Sequence, residues 1–328
     1  MRRAAAMALV MVVLSFLLPI LLVGGPEQGE PAVDLRPPEQ TQTTGDAGAW
    51  VRVLMADGTA QEMSRADYLW GVTAAEMPAS FHPEALKAQS VAARTYLAGA
   101  GGDKHPEADI CADPHCCQAW VSREEAESGW GERAEEFSEK VARAVAETDG
   151  LVLLYEGEPI QALYFSSAPG STVDARAVWG THVPYLVSVS SPEGEQVPNY
   201  HSRLTLTGEQ LRALVLEQYP QAELSGPCEG WLTEVEREPS GTVSRLKLGG
   251  ISMTGGQLRK LLGLRSACFT TSVKGEEITF HVTGYGHGVG MSQYGANELA
   301  GQGKDFRAIL QWYYTGVELG EMGVYGGA

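Results

Sequence analysis

Apolar and polar residues alternate through AWVRVLMADGTAQEM, residues 49–63, with Asp57-Gly58 between the two runs, a pattern that predicts a β-hairpin. The period then changes to that of a helix. In SRADYLWGVTAAEMP, residues 64–78, Tyr68, Leu69, Val72 and Ala75 share one face, Ser64 suits the N-cap and Pro78 forbids continuation, so Glu76 falls in the last turn. In HPEALKAQSVAARTYLAGAGG, residues 82–102, Pro83 fits the first helical position and the glycines from Gly99 end the run. Alanines on nearly every side of this second helix predict close packing all round, which leaves Lys87, Gln89 and Arg94 as polar residues that need a reason.

Further along, Ser122 and Glu125 form a candidate capping box, and Phe137, Val141, Ala144, Val145 and Thr148 mark a helix running to Gly150. GLVLLYEGEPIQALYFSS, residues 150–167, reads as a second hairpin turning at Glu156-Gly157. LTLTGEQLRALV, residues 204–215, and ISMTGGQLRKLL, residues 251–262, share a short strand, a Thr-Gly step and a helix that opens Gln-Leu-Arg. They are either a duplicated β-α unit or a coincidence in a common pattern. The pattern as a whole predicts an α+β fold, helices concentrated in the N-terminal half and a β-rich C-terminal half.

The chain has 328 residues, 44% hydrophobic and 20% charged, which fits one large globular body and excludes disordered, collagenous and multi-span membrane classes. Arg2 and Arg3 precede about twenty apolar residues, the length of a bilayer-crossing helix, so residues 1–25 are expected to be an N-terminal membrane anchor with the body exported; a cleaved signal peptide is the competing reading. Residues 26–49 read as a flexible linker, residues 50–320 as the folded body and residues 321–328 as a C-terminal tail. A net charge of -17 argues against nucleic acid or anionic lipid as the body's partner.

Three stretches carry candidate chemistry. KHPEADICADPHCCQAW, residues 104–120, gathers His105, Cys111, His115, Cys116 and Cys117, enough ligands for the closed tetrahedral shell of a structural zinc. The alternative is a disulfide from Cys111 to one of the adjacent pair, which accounts for neither histidine. Glu76, near a helix C-terminus and among Trp70, Met77 and Phe81, sits where the helix dipole and burial would both raise its pKa, as a general acid requires; otherwise it only terminates a surface helix. GYGHGVGMSQYGA, residues 284–296, with five glycines, could bring backbone close to a ligand while presenting His287, Ser292, Gln293 and Tyr294, or could be a structural turn; it lacks the lysine of a nucleotide P-loop. Cys228 and Cys268 could pair with each other or stay free.

At these residues the chain resembles the stage II sporulation protein D family. The resemblance rests on WGVTAAEMPASFHPEALKAQSVAARTY, ADICADPHCCQAW, VWGTHVPYLVSVSSPEGE, LRKLLGLRSACF and the long block from GYGHGVGMSQYGA to TGVEL, in order along nearly the whole body. It implies a membrane-anchored lytic transglycosylase of peptidoglycan, active in engulfment during endospore formation, with its body outside the cytoplasm. It also implies two protein partners, an amidase-endopeptidase and a membrane scaffold. By the A-A-E-M-P block, Glu76 becomes the catalytic acid; Lys87, Gln89, Arg94, His287, Ser292, Gln293 and Tyr294 become candidate substrate contacts, although Lys87 and Arg94 could equally make internal salt bridges. A zinc site is implied with ligands His105, Cys111, Cys116 and Cys117, or His115 in place of Cys116 after a local shift. Two rivals are a non-catalytic glycan-binding enhancer of an amidase and a zinc amidase in which His105 and His287 share a metal.

Overall fold

The computed structural model describes residues 45–100 and 104–322. The expected anchor, most of the linker and most of the tail lie outside the described residues, among which no helix is long and apolar enough to cross a membrane. The architecture is α+β, built from helices and several small sheets. Five helices lie after residue 150, so helices are less confined to the first half than the hydrophobic pattern predicts.

The first hairpin forms as expected from β1 (Trp50–Leu54) and β2 (Ala60–Ser64), with Gly58 at φ 84° in the turn. A short strand, β3 (Ile110–Cys111), lies parallel to β1 and pairs Leu54 with Cys111, which fixes one candidate metal ligand to the sheet. Helix α1 (Arg65–Glu76) starts at the Ser64 cap and ends at Glu76. Helix α2 (Pro83–Gly99) runs through the main core with Ala85, Ala88, Ala92 and Ala93 fully buried. Alanine permits this because it adds no bulk between the backbones that surround the helix.

Helix α3 (Arg123–Trp130) has the Ser122/Glu125 capping box, and α4 (Ala134–Ala146) presents Phe137 and Val141 to Trp70. Trp70 packs in a cluster with Trp130 and Phe137. The second hairpin is shorter than its pattern. Strands β4 (Leu151–Tyr155) and β5 (Glu158–Pro159) turn through Glu156 and Gly157, both at positive φ, while β6 (Tyr164–Phe165) leaves the hairpin for another partner.

After the short helix α5 (Ala175–Trp179), the chain builds a second lobe with its own core. It comprises β7 (His201–Thr207), α6 (Gly208–Gln218), β8 (Leu232–Arg237), β9 (Val243–Leu248), β10 (Ile251–Thr254), α7 (Gly255–Leu262), β11 (Phe269–Lys274) and β12 (Glu277–Thr283). The two similar segments are both strand-then-helix units here, each with a Thr-Gln capping box. His201 pairs with Thr283, so the lobe enters and leaves the main body at one place. Cys228 and Cys268 are both free thiols.

The chain returns through β13 (Met291–Ser292), which pairs parallel with β6, then α8 (Gln293–Gly301), α9 (Phe306–Tyr313) and β14 (Glu318–Glu321), which completes the sheet on β4. Residue 321, counted with the tail by sequence, thus ends a strand.

One contact ties the first described residues to this core. Asp46, inside the stretch that composition assigns to the linker, is buried and accepts from Arg94 Nη2 at 2.6 Å and from Arg65 Nε at 2.6 Å. Burial raises the Asp46 pKa, but Arg94 and Arg65 outweigh it and hold the carboxyl below its usual range. Arg94, with 0% of its side chain exposed, also donates to the carbonyls of Leu151 and Val145. Asp46→Ala strands that guanidinium and is expected to cost about 3–5 kcal/mol in denaturant unfolding. Because the Asp46 pKa is lowered on folding, its contribution is full above the unfolded value and is lost as pH falls through the folded one; the deficit of the variant should vanish there.

Candidate functional site

The C-terminal end of α1 delivers Glu76 to a place where two distant segments meet. The backbone N–H of Ala119 donates to Oε1 at 3.0 Å, and Gln293 Nε2, from the first position of α8, donates to Oε2 at 3.2 Å. Burial pushes the Glu76 carboxyl above its usual range, and the two donated hydrogen bonds pull against that shift without cancelling it. Both of these hydrogen-bond partners are neutral amides. The arrangement shifts Glu76 toward its protonated form relative to an ordinary glutamate and keeps two neutral donors on its oxygens.

Around this centre, Tyr164 donates its hydroxyl to Gln118 Oε1 at 2.7 Å, and Gln118 Nε2 reaches Tyr68 Oη at 2.9 Å. The Tyr164 phenol is pushed well up, first by burial and then by the charge on Glu76, so it stays a neutral donor beside the acid. Gln118, Ala119 and Tyr164 escape a reading by residue type. A backbone N–H has no sequence signature, and the QAW run that follows the cysteines is the only local sign of them.

The glycine-rich segment delivers Gln293, and of its two readings the structural one describes its glycines. Gly284, Gly286, Gly288 and Gly290 all have positive φ, and a side chain at Gly290 would place its Cβ 2.0 Å from the carbonyl oxygen of Leu163. The close approach is to the protein's own backbone around β6. His287 likewise faces inward: its Nδ1 accepts from the Val289 N–H at 3.1 Å, so its Nε2 carries the proton and donates to the Tyr164 carbonyl at 3.1 Å. Burial, with Arg259 nearby, lowers its pKa to about 4, so it is neutral at ordinary pH. Ser292 caps α8, and Tyr294 packs edge-on against Phe81 with ring centroids 4.9 Å apart.

The remaining expected contacts lie elsewhere. Lys87 pairs with Glu84 at 2.7 Å and Glu147 at 2.6 Å, on the wall of a surface depression of ≈ 470 Å³ that Glu76 does not line. Arg94 is committed to Asp46. Gln89 is wholly buried, and its amide nitrogen and oxygen find no hydrogen-bond partner among the described residues.

His105, Cys111, Cys116 and Cys117 converge so that their ligand atoms all lie within 4.8 Å of one another. His105 Nε2 is 3.4 Å from Cys117 Sγ and 3.5 Å from Cys116 Sγ, close to the ligand separations of about 3.5–3.8 Å that tetrahedral Zn–S and Zn–N bonds require. Neither a Cys111 disulfide nor His115 enters the cluster; the His115 backbone N–H instead bonds Asp113. Hydrogen bonding from Cys111, helped by His105 and Lys104, pulls the Cys117 thiol down to about 5, the character of a metal-binding thiolate. These four residues could hold a metal such as zinc, and His287, expected by one rival reading to share it, is not among them.

Comparison with known proteins places this geometry in a family. The Stage II sporulation protein family matches residues 57–155, which include Glu76 and the cysteine cluster. Stage II sporulation protein D of Bacillus subtilis (strain 168) is 35% identical over 81% of this chain and 77% of its own length. That of Bacillus amyloliquefaciens is 38% identical over 78% of this chain and 74% of its own. An amidase enhancer of Bacillus subtilis (strain 168) is 30% identical over 76% of this chain, which spans 40% of that relative. By identity and coverage together, the chain belongs to the stage II sporulation protein D family.

Proposed function

We propose that this protein is a lytic transglycosylase that cleaves the glycosidic bond between N-acetylmuramic acid and N-acetylglucosamine in peptidoglycan. The observation that carries the reading is Glu76: a carboxyl group whose pKa is raised by burial, with two donors aimed at its oxygens. Protonated Glu76 gives its proton to the leaving glycosidic oxygen as the C1–O bond breaks. The carboxylate so formed is held by Ala119 N–H and the Gln293 amide, then takes the proton of the muramic C6 hydroxyl as that oxygen bonds to C1. The product is a 1,6-anhydro end, and the single carboxyl group returns to its starting state. The usual two-carboxylate hydrolase pairs its acid with a second carboxylate, whereas on the proposed path the substrate's own C6 hydroxyl takes that place.

The four-residue cluster would, on this reading, hold a structural zinc. Four protein ligands would fill the tetrahedral shell that structural zinc prefers, leaving no position open for substrate. Its contribution to the site is mechanical: Cys117 is two residues from Ala119, whose N–H holds Glu76. The setting is proposed from the family as the septal or engulfing membrane during endospore formation, the body outside the cytoplasm, with an amidase-endopeptidase and a membrane scaffold as partners. The likeness to an amidase enhancer favours a second reading, in which the body binds glycan and stimulates an amidase without cutting.

Glu76→Gln should lower the release of anhydro-muramic ends from purified glycan strands by about 10²–10⁴-fold, read by mass spectrometry. Retained binding with no cleavage by the unsubstituted protein would instead favour the enhancer. The wild-type rate should fall as pH rises through the elevated Glu76 pKa, at a higher pH than an ordinary glutamate would give. The same shift has a stability sign. Folding favours the protonated form, so wild-type stability declines as pH rises through the unfolded and then the folded value. Glu76→Gln should therefore gain in melting temperature over wild type at neutral pH and lose that advantage at acid pH. Chelation, or Cys117→Ser, is expected to lower the melting temperature, with activity falling in proportion to the folded fraction; full activity loss in a protein that keeps its melting temperature would contradict a structural metal.

A further inference from the structure

Glu193 is the most deeply buried carboxyl group that the proposed reaction does not use, at 1% exposure. It comes from the loop before β7 and reaches beneath the first turn of α8, the helix that carries Gln293. Its Oε1 accepts from the Ala168 N–H at 2.6 Å and from Ser292 Oγ at 2.5 Å, while Oε2 has no hydrogen-bond partner among the described residues. Ser292 Oγ in turn accepts from the Gly295 N–H at 3.2 Å and so caps the helix. A carboxylate at a helix N-terminus is favoured by the partial positive charge there, which offsets part of the cost of burying it.

The space around α8 fits this carboxylate. A Cβ at Gly295 would lie 2.7 Å from Glu193 Oε2, 2.4 Å from Ser191 Oγ and 2.0 Å from Tyr313 Oη, so glycine at the third helical position lets the helix seat directly on Glu193. The Ser191 and Tyr313 hydroxyls are bonded to each other at 2.7 Å and complete the floor. Ser292 is adjacent in sequence to Gln293, whose amide touches Glu76. The fold thus links two carboxyl groups through one capping serine: the lower one fixes the start of the helix, and the start of the helix aims the amide at the upper one.

We infer that Glu193 is a positioning residue, which through Ser292 and the first turn of α8 sets the Gln293 amide against Glu76. The catalytic consequence rests on the role proposed for Glu76; the structural link does not. Hydrogen-bond geometry at Oε1 does the positioning, and a glutamine can reproduce it, its carbonyl oxygen accepting both bonds while its amide occupies the place of Oε2.

The test is the titration of the Glu76 carboxyl followed by NMR on ¹³C-glutamate-labelled protein, assigned with Glu76→Gln and needing no substrate. Since the Gln293 hydrogen bond lowers the Glu76 pKa, Gln293→Ala raises the midpoint. Glu193→Ala is expected to raise it by the same amount, the double variant no further, and Glu193→Gln to restore the wild-type midpoint. Where Glu193→Ala fails to fold, Ser292→Ala breaks the same link and is expected to move the midpoint alike. A folded Glu193→Ala or Ser292→Ala with the wild-type midpoint overturns the inference, as does a Glu193→Gln variant that behaves like Glu193→Ala. On glycan strands Glu193→Ala should lower kcat about tenfold to a hundredfold with KM little changed. If wild type cleaves no glycan while the titrations behave as stated, the positioning stands and the proposed reaction fails.

Discussion

A carboxyl group withdrawn from water has to find partners, and the main body converges on meeting that demand for Glu76. Its two donors come from positions 43 and 217 residues along the chain, and neither can arrive without a large part of the fold. Ala119 is brought by the segment that leaves the cysteine cluster, itself fixed to the hairpin sheet through Cys111. Gln293 is brought by a parallel strand pair, by a run of glycines that lets two backbones close to contact, and by a helix seated on a buried carboxylate. The alanine-rich α2 lies between, thin enough for the surrounding elements to approach from all sides. The three local features that stand out in the sequence, alanines, cysteines and glycines, are thus three ways of holding one acid.

What was legible in the sequence was local. The cap at Ser64 and the stop at Pro78 placed Glu76 at a helix end, where it lies. The crowding of His105, Cys111, His115, Cys116 and Cys117 offered five candidate ligands, the family resemblance left open whether Cys116 or His115 completes the set, and the structure brings together His105, Cys111, Cys116 and Cys117. The hairpin turns, the Ser122 capping box and the two strand-helix units were likewise written in neighbouring residues. Long-range facts were not. That β6 pairs with β13 rather than finishing its own hairpin depends on a segment 127 residues away, with Tyr164 opposite Met291. That Glu193 lies under α8 depends on a contact with Ser292, 99 residues away. The composition around Asp46 reads as a tether, and the guanidinium groups of Arg94 and Arg65 explain why Asp46 joins the core.

The second lobe bears on why the site is spared these complications. Its core is separate, and its first and last strands meet where the chain enters and leaves, with Gly284 N–H bonded to the Tyr200 carbonyl at 2.8 Å. The lobe adds strands and two capped helices without asking the main body to change register. The groups that touch Glu76 all come from the main body, before residue 200 or after residue 284.

The placement of the cations decides what Glu76 can do. Lys87 and Arg94 stand on the helix after Glu76 and invite the idea that they flank it. An adjacent guanidinium or ammonium would stabilise the carboxylate and lower its pKa, as Arg94 does for Asp46. A group so paired would be ionised at neutral pH, with no proton to give. Instead Arg94 spends its charge on Asp46 and Lys87 on Glu84 and Glu147, while the groups left facing Glu76 are neutral: a backbone amide, a side-chain amide and a phenol held in its protonated form. Neutral donors stabilise the anion less than a cation would, so burial outweighs them and the Glu76 pKa lies above its usual range. The same donors are already in place when the proton leaves, so the carboxylate that forms needs no rearrangement to be held. For the proposed reaction, the segregation of charge from Glu76 is therefore the condition under which one carboxyl group would serve first as proton donor and then as acceptor.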